Sequence, residues 1–374
     1  MNFGVRTPMG AMHRRVEQTF ELELTPFTLE GGARLTRHVV RGVSYGREDA
    51  PCVVVVPALT GDCRAAGVGG FWEPLIGPGR ALDTRRWRVV CCDLLGSSHG
   101  SSGPTDPAFP RATEDHEREV AAGTGKGAFA LPRALLPATV TTWDQARSLQ
   151  LTLDALRIER VHLVVGGSLG GMIAMALAAS DARVERALPL GGSLAASAWI
   201  LAFNHVARRV IVDALVRGDA ASGLSLARQL AMIGYRTPSA LAAAQGRTQV
   251  QKSAWNPSTP YRVQTWLENH GARLCERFDA RAYLCLLGAM DHHDLLRVSP
   301  TGHSLATLRA RVLAVALEGD QLFVPEENAR LARALCAQQS EVEEQWVRSP
   351  HGHDALFLAW DPLAQMLHRA LAWT

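Results

Sequence analysis

The 374-residue chain lacks several features that would assign it to a specialised class of protein. Its formal net charge is only +3, too small an excess for a nucleic-acid-binding surface, so we expect no nucleic-acid partner. Its seven cysteines include no C-x-x-C pair, which predicts reduced, buried thiols in a cytoplasmic protein. The first fifteen residues contain no apolar core of the kind found in signal peptides, so we expect no secretory targeting.

The chain also lacks a long uninterrupted hydrophobic run. Its most apolar stretch, 194–216, is broken by Asn204, His205, Arg208, Arg209 and Asp213. This pattern predicts an amphipathic helix and no membrane span. No internal repeat or low-complexity tract is present. A composition of 47% hydrophobic and 20% charged residues fits one large α/β domain with an insertion.

The distribution of apolar runs predicts a parallel sheet. Residues 52–57 and 87–92 are continuous apolar runs, typical of strands that are buried on both faces. An edge hairpin is expected from 19–29 and 34–43, joined at Gly31 and Gly32. Further strands are predicted at 186–190, 311–317 and 344–347, helices at 142–156, 325–336 and 355–373, and a surface excursion within 96–137.

This alternation of strands and helices predicts an α/β protein whose mostly parallel sheet is doubly wound. The alternation is interrupted by mostly helical sequence between about residues 194 and 300. We therefore expect a core domain formed by 1–193 and 301–374, and a helical lid inserted at 194–300.

A serine flanked by glycines joins an apolar run to a stretch of small residues. Residues 161–172 read V-H-L-V-V-G-G-S-L-G-G-M, with the pattern G-x-S-x-G centred on Ser168. In a nucleophile elbow, the turn from strand to helix is so sharp that neighbouring side chains would clash. The alternative is an ordinary strand-to-helix turn, but the β-branched residues before it and the small residues after it favour a catalytic serine.

A nucleophilic serine needs a base that accepts its proton and a carboxylate that orients the base. Asp320 follows the predicted strand 311–317, and His353 follows the last predicted strand. Both would therefore lie at the carboxyl edge of the sheet, in the chain order serine, acid, histidine. Asp320 has a second interpretation as a capping aspartate, and His351 is an alternative base.

Two backbone amides are candidates for an oxyanion hole. Leu169 follows the serine at a helix N-terminus, where its amide can face a developing negative charge. The second donor is expected from the loop after strand 52–57, and Leu59 is the candidate there. An ordinary tight turn explains the spacing of this loop nearly as well.

The string Asp291-His292-His293-Asp294 contains residue types that bind metals. Adjacent residues of a helix point in different directions, and no second cluster follows nearby. Zinc and iron sites need three or four convergent ligands, so we expect no metal site.

From about residue 50 onward, the chain resembles the homoserine O-acetyltransferase family of the α/β-hydrolase fold. The shared strings are A-L-T-G-D from Ala58, G-F-W-E-P-L-I-G-P-G-R from Gly70, G-G-S-L-G-G-M from Gly166, A-R-Q-L-A-M-I-G-Y-R from Ala227, R-F-D from Arg277 and G-H-D-A from Gly352. The G-H-D context favours His353 over His351.

The resemblance implies a ping-pong acetyltransferase of methionine biosynthesis. Ser168 would take the acetyl group from the co-substrate acetyl-CoA, with His353 as base, and pass it to the hydroxyl of L-homoserine. By the same resemblance Arg228 would bind the carboxylate of the amino acid, with Tyr235 nearby, and Asp354 would pair with the ammonium. The family further implies a homodimer through the lid helices and no bound metal or prosthetic group.

Each substrate residue also has a simpler interpretation. Arg228 fits a surface arginine, Tyr235 a packing aromatic, and Asp354 an N-cap of the final helix. The chain departs from the family pattern at Leu169, Asp93, 204–208 and 281–282. These departures leave serine as acceptor, succinyl-CoA as donor, and an esterase as alternatives.

Overall fold

The computed structural model describes residues 17–112, 136–251 and 256–373. The strands in these residues are β1 (Glu17–Leu24), β2 (Phe27–Thr28), β3 (Arg34–Leu35), β4 (His38–Tyr45), β5 (Cys52–Val56), β6 (Arg88–Cys92), β7 (Val161–Gly167), β8 (Arg186–Leu190), β9 (Arg311–Leu317) and β10 (Val342–Val347). Eight of them form one sheet in the order β1-β4-β6-β5-β7-β8-β9-β10, and β2 pairs with β3 in a separate short ladder. From β6 to β10 the neighbouring strands are parallel, whereas β4 is antiparallel to β6 and to β1. The predicted, mostly parallel sheet is confirmed.

Helices cover both faces of this sheet. They are α1 (Thr142–Ala155), α2 (Leu169–Ser180), α3 (Ala198–Val216), α4 (Ala220–Tyr235), α5 (Pro238–Gln245), α6 (Arg262–Cys275), α7 (Ala280–Asp291), α8 (Pro325–Ala337) and α9 (Trp360–Ala372). In β5, Val54 and Val56 belong to the apolar cluster that includes α2, whereas Val53 and Val55 belong to the cluster that includes α9. Because the strand is buried on both faces, its sequence is apolar throughout.

The edge hairpin forms with one modification. Strand β1 pairs with β4 along its whole length, from Glu17 opposite Tyr45 to Leu24 opposite His38. The chain between them folds into the separate two-residue ladder β2–β3. Pro26 lies where β1 ends, and proline has no N–H to continue a ladder.

The predicted C-terminal helix 355–373 is divided in the structure. Residues Gly352–Phe357 form a 3₁₀ turn, and α9 begins only at Trp360. Pro362 then lies in the first turn of α9, the part of a helix where the missing N–H of proline is tolerated. Asp354 lies inside the 3₁₀ turn, so the interpretation of Asp354 as an N-cap of the final helix is wrong.

The chain between β8 and β9 forms the five helices α3 to α7. The polar and charged interruptions noted in 194–216 fall in or around α3, and no helix in the described ranges is long and apolar enough to cross a membrane. Of the predicted surface excursion, residues 113–135 lie outside the described part of the chain.

Candidate active site

Ser168 lies at the sharp turn between β7 and α2. Its backbone has φ 60° and ψ −129°, a conformation that L-residues rarely adopt and that strand and helix must hold in place. Its N–H donates to the carbonyl of Leu190 at 3.0 Å, and its carbonyl accepts from Gly171 and Met172 in the first turn of α2. The serine is therefore held by β8 on one side and by its own helix on the other.

The glycines of the elbow are required by close backbone contacts. A Cβ on Gly166 would lie 2.4 Å from the carbonyl of Gly170, and a Cβ on Gly170 would lie 2.4 Å from the carbonyl oxygen of Val56. Both distances are far below an ordinary van der Waals contact. The clash that the sequence pattern predicts is thus present, and it places the start of α2 against the end of β5.

Asp320 and His353 form a buried hydrogen-bonded pair. Asp320 Oδ2 lies 2.7 Å from His353 Nδ1, and the other oxygen, Oδ1, accepts from the amides of Leu322 and Phe323 at 2.9 Å each. Asp320 therefore caps its own loop and contacts the histidine at once. The ring of Phe323 stacks on His353 with centroids 5.3 Å apart, which fixes the plane of the imidazole.

The pKa of His353 is raised above its usual value. Burial alone lowers it, but the charge of Asp320 and the hydrogen bond to it outweigh the burial, with a further contribution from Asp354. A histidine oriented by a carboxylate in this way is suited to accept a proton and later release it.

The pair lies next to the serine, although the described contacts include no hydrogen bond between Ser168 and His353. A Cβ on Gly167 would lie 2.6 Å from Leu356, three residues after His353, and one on Gly191 would lie 3.5 Å from Asp320 Oδ2. His351 makes no contact with Asp320 among the described hydrogen bonds, and its Nδ1 is buried without a partner.

The loop that carries Leu59 is held from three directions. The amide of Gly61 closes a turn on Ala58 at 2.9 Å, and Arg277 donates to the carbonyl of Thr60 at 2.6 Å. Asp93 accepts from the amide of Cys63 at 2.6 Å. No hydrogen bond from the amides of Leu59 or Leu169 is found within the described residues, which leaves both available to an oxyanion.

Asp93 is one of the departures from the family pattern, and it is buried. Burial raises the pKa of Asp93 to about 6, and its Oδ2 has no partner among the described atoms. The strings R-F-D and A-L-T-G-D, singled out in the sequence, meet where Arg277 contacts Thr60. No role was predicted for Arg277 or for this loop contact.

Arg228 and Tyr235 lie one above the other on α4. The guanidinium carbon of Arg228 is 5.3 Å from the centroid of the Tyr235 ring, and that ring is 5.1 Å from the ring of His353. No carboxylate in the described ranges lies within ion-pair distance of Arg228. A cation without an anionic partner beside a candidate catalytic histidine is suited to bind an anionic group of a ligand.

Asp354 accepts from Arg236 Nε through its Oδ2. The ion pair is largely buried, with 20% of the Arg236 side chain and 13% of the Asp354 side chain exposed. Arg236 is a residue that the sequence reasoning did not assign, although it ends the string A-R-Q-L-A-M-I-G-Y-R. No local signal pairs two residues that are 118 positions apart.

The side chains of Asp291, His293 and Asp294 go to separate partners. Asp291 binds Arg208 and Asn204, His293 bonds Thr142 and the carbonyl of Ser193, and Asp294 accepts from amides of its own turn. In the described part of the chain, no group of three or more potential ligands converges on one point.

A small cavity of about 30 Å³ lies between Leu59 and the helices α3, α4 and α7. Its lining includes the polar side chains of Asn204, Tyr235 and Tyr283 and is otherwise apolar.

Comparison with known proteins agrees with this geometry. The profile of the alpha/beta hydrolase fold matches residues 51–359. The chain is 34% identical to a homoserine O-acetyltransferase of Symbiobacterium thermophilum, and the alignment covers 92% of each chain.

Two solved structures have the same fold. The homoserine O-acetyltransferase from Bacillus anthracis superposes with a TM-score of 0.78 at 21% identity, covering 96% of this chain and 98% of that one. Esterase E22 superposes with a TM-score of 0.77 at 22% identity, covering 95% of this chain and 100% of that one. The fold is thus shared by transferases and esterases. Because the alignment with the Symbiobacterium thermophilum relative covers 92% of each chain at 34% identity, the chain belongs to the homoserine O-acetyltransferase family of the α/β-hydrolase fold.

Proposed function

We propose that this protein transfers the acetyl group of acetyl-CoA to the hydroxyl of L-homoserine, in methionine biosynthesis. Family membership supports the reaction. The observation that carries the choice of an amino-acid acceptor is Arg228, which has no carboxylate partner among the described residues and lies over Tyr235 beside His353. An esterase has no need of such a cation.

In the first step, Ser168 Oγ attacks the thioester carbonyl carbon while His353 takes the hydroxyl proton. The amides of Leu59 and Leu169 donate to the oxyanion of the tetrahedral intermediate. The C–S bond then breaks, and His353 returns the proton to the departing sulfur of CoA. Ser168 is left acetylated.

In the second step, His353 takes the proton of the homoserine hydroxyl, whose oxygen attacks the acetyl-serine ester. Collapse of the intermediate breaks the bond to Ser168 Oγ, which recovers the proton from His353. In this proposal Arg228 holds the carboxylate of homoserine and Asp354 its ammonium, since a guanidinium matches a carboxylate and an anion matches an amine. The chemistry of these steps uses side chains and amides, without a metal or prosthetic group.

The test is release of free CoA thiol from acetyl-CoA, with no acceptor, with L-homoserine and with L-serine. We expect strong stimulation by homoserine. We expect Arg228→Gln to raise the KM for homoserine about 100-fold, because a charge-assisted contact contributes about 1.5–3 kcal/mol. The burst of thiol release without acceptor should persist in this variant, because acylation of Ser168 needs no amino acid.

Arg217→Gln is the matched control, since Arg217 is an exposed arginine at the end of the neighbouring helix α3. Thiol release that is indifferent to every amino acid would identify a hydrolase. Stimulation by serine alone, or release from succinyl-CoA in preference to acetyl-CoA, would replace the acceptor or the donor in this proposal.

We propose in addition a domain organisation and a cellular compartment for this protein. The helical insertion 194–300 serves as a lid over the core 1–193 and 301–374, supported by the contacts of α4 with the segment that carries His353. All seven cysteines are free thiols, which supports a reducing compartment such as the cytoplasm.

We further propose that two copies associate through α3 and α4. Six large apolar side chains on these helices are between 40% and 51% exposed: Trp199, Leu201, Val206, Val216, Leu226 and Ile233. Exposed apolar side chains concentrated on two neighbouring helices are typical of a protein–protein interface. Sedimentation should give twice the mass of the 40.4 kDa chain, and Leu226→Glu should give the monomer. A wild-type monomer at all concentrations would contradict the dimer.

A further inference from the structure

The end of helix α4 is bonded to both loops that carry the Asp320–His353 pair. In the segment 235–237, Arg236 Nε donates to Asp354 Oδ2, and Thr237 Oγ1 donates to the carbonyl of Pro350 at 2.7 Å. The carbonyl of Arg236 accepts from Gln321 Nε2 at 2.9 Å. One three-residue segment of the insertion thus touches the loop after β9 and the loop after β10.

Both loops have a glycine where the segment approaches. A Cβ on Gly319 would lie 2.8 Å from Thr237 Cγ2, and one on Gly352 would lie 3.3 Å from the carbonyl oxygen of Tyr235. Both glycines have positive φ, +67° and +62°, so glycine is favoured on backbone grounds as well. The segment and the loops are in direct contact with no space for a side chain between them.

The ion pair at the centre of this contact is partly desolvated. Arg236 also lies over the ring of Trp266 in α6, 5.9 Å from its centroid, which fixes the guanidinium from the other side. Removal of one partner from a pair of this kind leaves a poorly solvated, uncompensated charge. That charge would be Asp354, the residue directly after His353.

We infer that Arg236 is a positioning residue for the catalytic pair: by holding Asp354 and anchoring the segment 235–237, it sets the place of His353 relative to the insertion. The inference rests on the proposed function for its assay. It assigns no contact between Arg236 and the reacting atoms.

The charged and titratable groups that face His353 come from three places. Asp320 lies in the loop after β9, Asp354 follows His353 itself, and Arg228 and Tyr235 come from α4. From α6, His270 faces Asp354, Arg228 and Arg236. Loss of the Arg236 charge leaves Asp354 uncompensated, which favours the protonated imidazole of His353.

The experiment compares wild type, Arg236→Gln, Arg236→Lys and the control Arg217→Gln. For each, the pH dependence of the rate of the p-nitrophenol burst from p-nitrophenyl acetate reports acylation of Ser168 without any acceptor, and homoserine-dependent thiol release reports the complete reaction. We expect Arg236→Gln to lower kcat about tenfold or more and to move the acid limb of the acylation profile to higher pH. Arg236→Lys should show both changes to a smaller extent, because lysine keeps the charge and loses the fixed geometry of the guanidinium.

An unchanged acid limb in folded Arg236→Gln, or a lysine variant no better than glutamine, would overturn the inference. If Arg236→Gln does not fold, the lysine variant carries the test, and a wild-type profile in it would overturn the inference equally. Failure of the proposed function gives a different result: the wild-type protein is acylated, but homoserine does not stimulate its thiol release.

Discussion

Replacing Ser168 with alanine is expected to lower the rate of acetyl transfer by about 10⁴-fold or more, the scale seen when a member of a catalytic triad is removed. Without the hydroxyl, no acyl-enzyme forms, and His353 has no proton to accept from the nucleophile. The strained backbone at φ 60° is as accessible to alanine as to serine, so stability should change little. Intact-protein mass after mixing with acetyl-CoA gives the readout: one added acetyl group in wild type and none in the variant.

Ser193→Ala is the matched control for this substitution. Ser193 is also fully buried, and its hydroxyl has no partner among the described atoms. The control should keep wild-type turnover and acetylation. An acetyl adduct that persists in Ser168→Ala would place the nucleophile elsewhere and remove the basis of the proposed mechanism.

A Gly170→Ala variant should be destabilised by about 3 kcal/mol or more, or fail to fold, as expected of overpacking against rigid backbone. The added Cβ would lie 2.4 Å from the carbonyl oxygen of Val56 and 2.8 Å from that of Pro57. These atoms belong to the end of β5, which cannot move without disturbing the centre of the sheet. Urea unfolding, followed by circular dichroism, measures the change in the free energy of unfolding.

Gly288→Ala serves as the contrasting glycine substitution. Gly288 lies inside helix α7, and its Cβ would meet only Thr139 Cγ2 at 3.5 Å, an ordinary contact. Alanine is a better helix former than glycine by about 1 kcal/mol, so this variant should be neutral or slightly more stable. Equal losses of unfolding free energy in the two variants would show that the contact with β5 does not cause the destabilisation of Gly170→Ala.

The parts of the fold that the sequence predicted are those determined by local pattern. Strand β5 is apolar at every position because alternate valines face opposite sides of the sheet, and the glycines around Ser168 are required by backbone contacts within a few residues and with β5. The predicted helix 355–373 was wrong at its start, because its apolar periodicity does not reveal that Pro362 needs a position in the first turn.

The candidate site was only partly predictable, because some of its contacts join residues that are far apart in the sequence. Asp320 and His353 each follow a strand, so their meeting at one edge of the sheet follows from topology. The pairing of Arg236 with Asp354 joins the end of α4 to the loop after β10 across 118 positions, and nothing near either residue encodes its partner. The catalytic role of Ser168 stays a prediction that Ser168→Ala tests, and the oxyanion roles of Leu59 and Leu169 stay predictions.

Helix α2 is buried along nearly its whole length, with every residue from Leu169 to Ala179 shielded, whereas α5 buries no residue and α6 only Gly271 and Leu274. Amide hydrogen exchange in such a molecule is graded: the buried helix opens only with global unfolding, and the exposed helices open in smaller, more frequent fluctuations. Ser168 therefore sits in the slowest-opening part of the protein. We therefore expect amide exchange at the nucleophile and in the exposed helices α5 and α6 to occur on very different timescales.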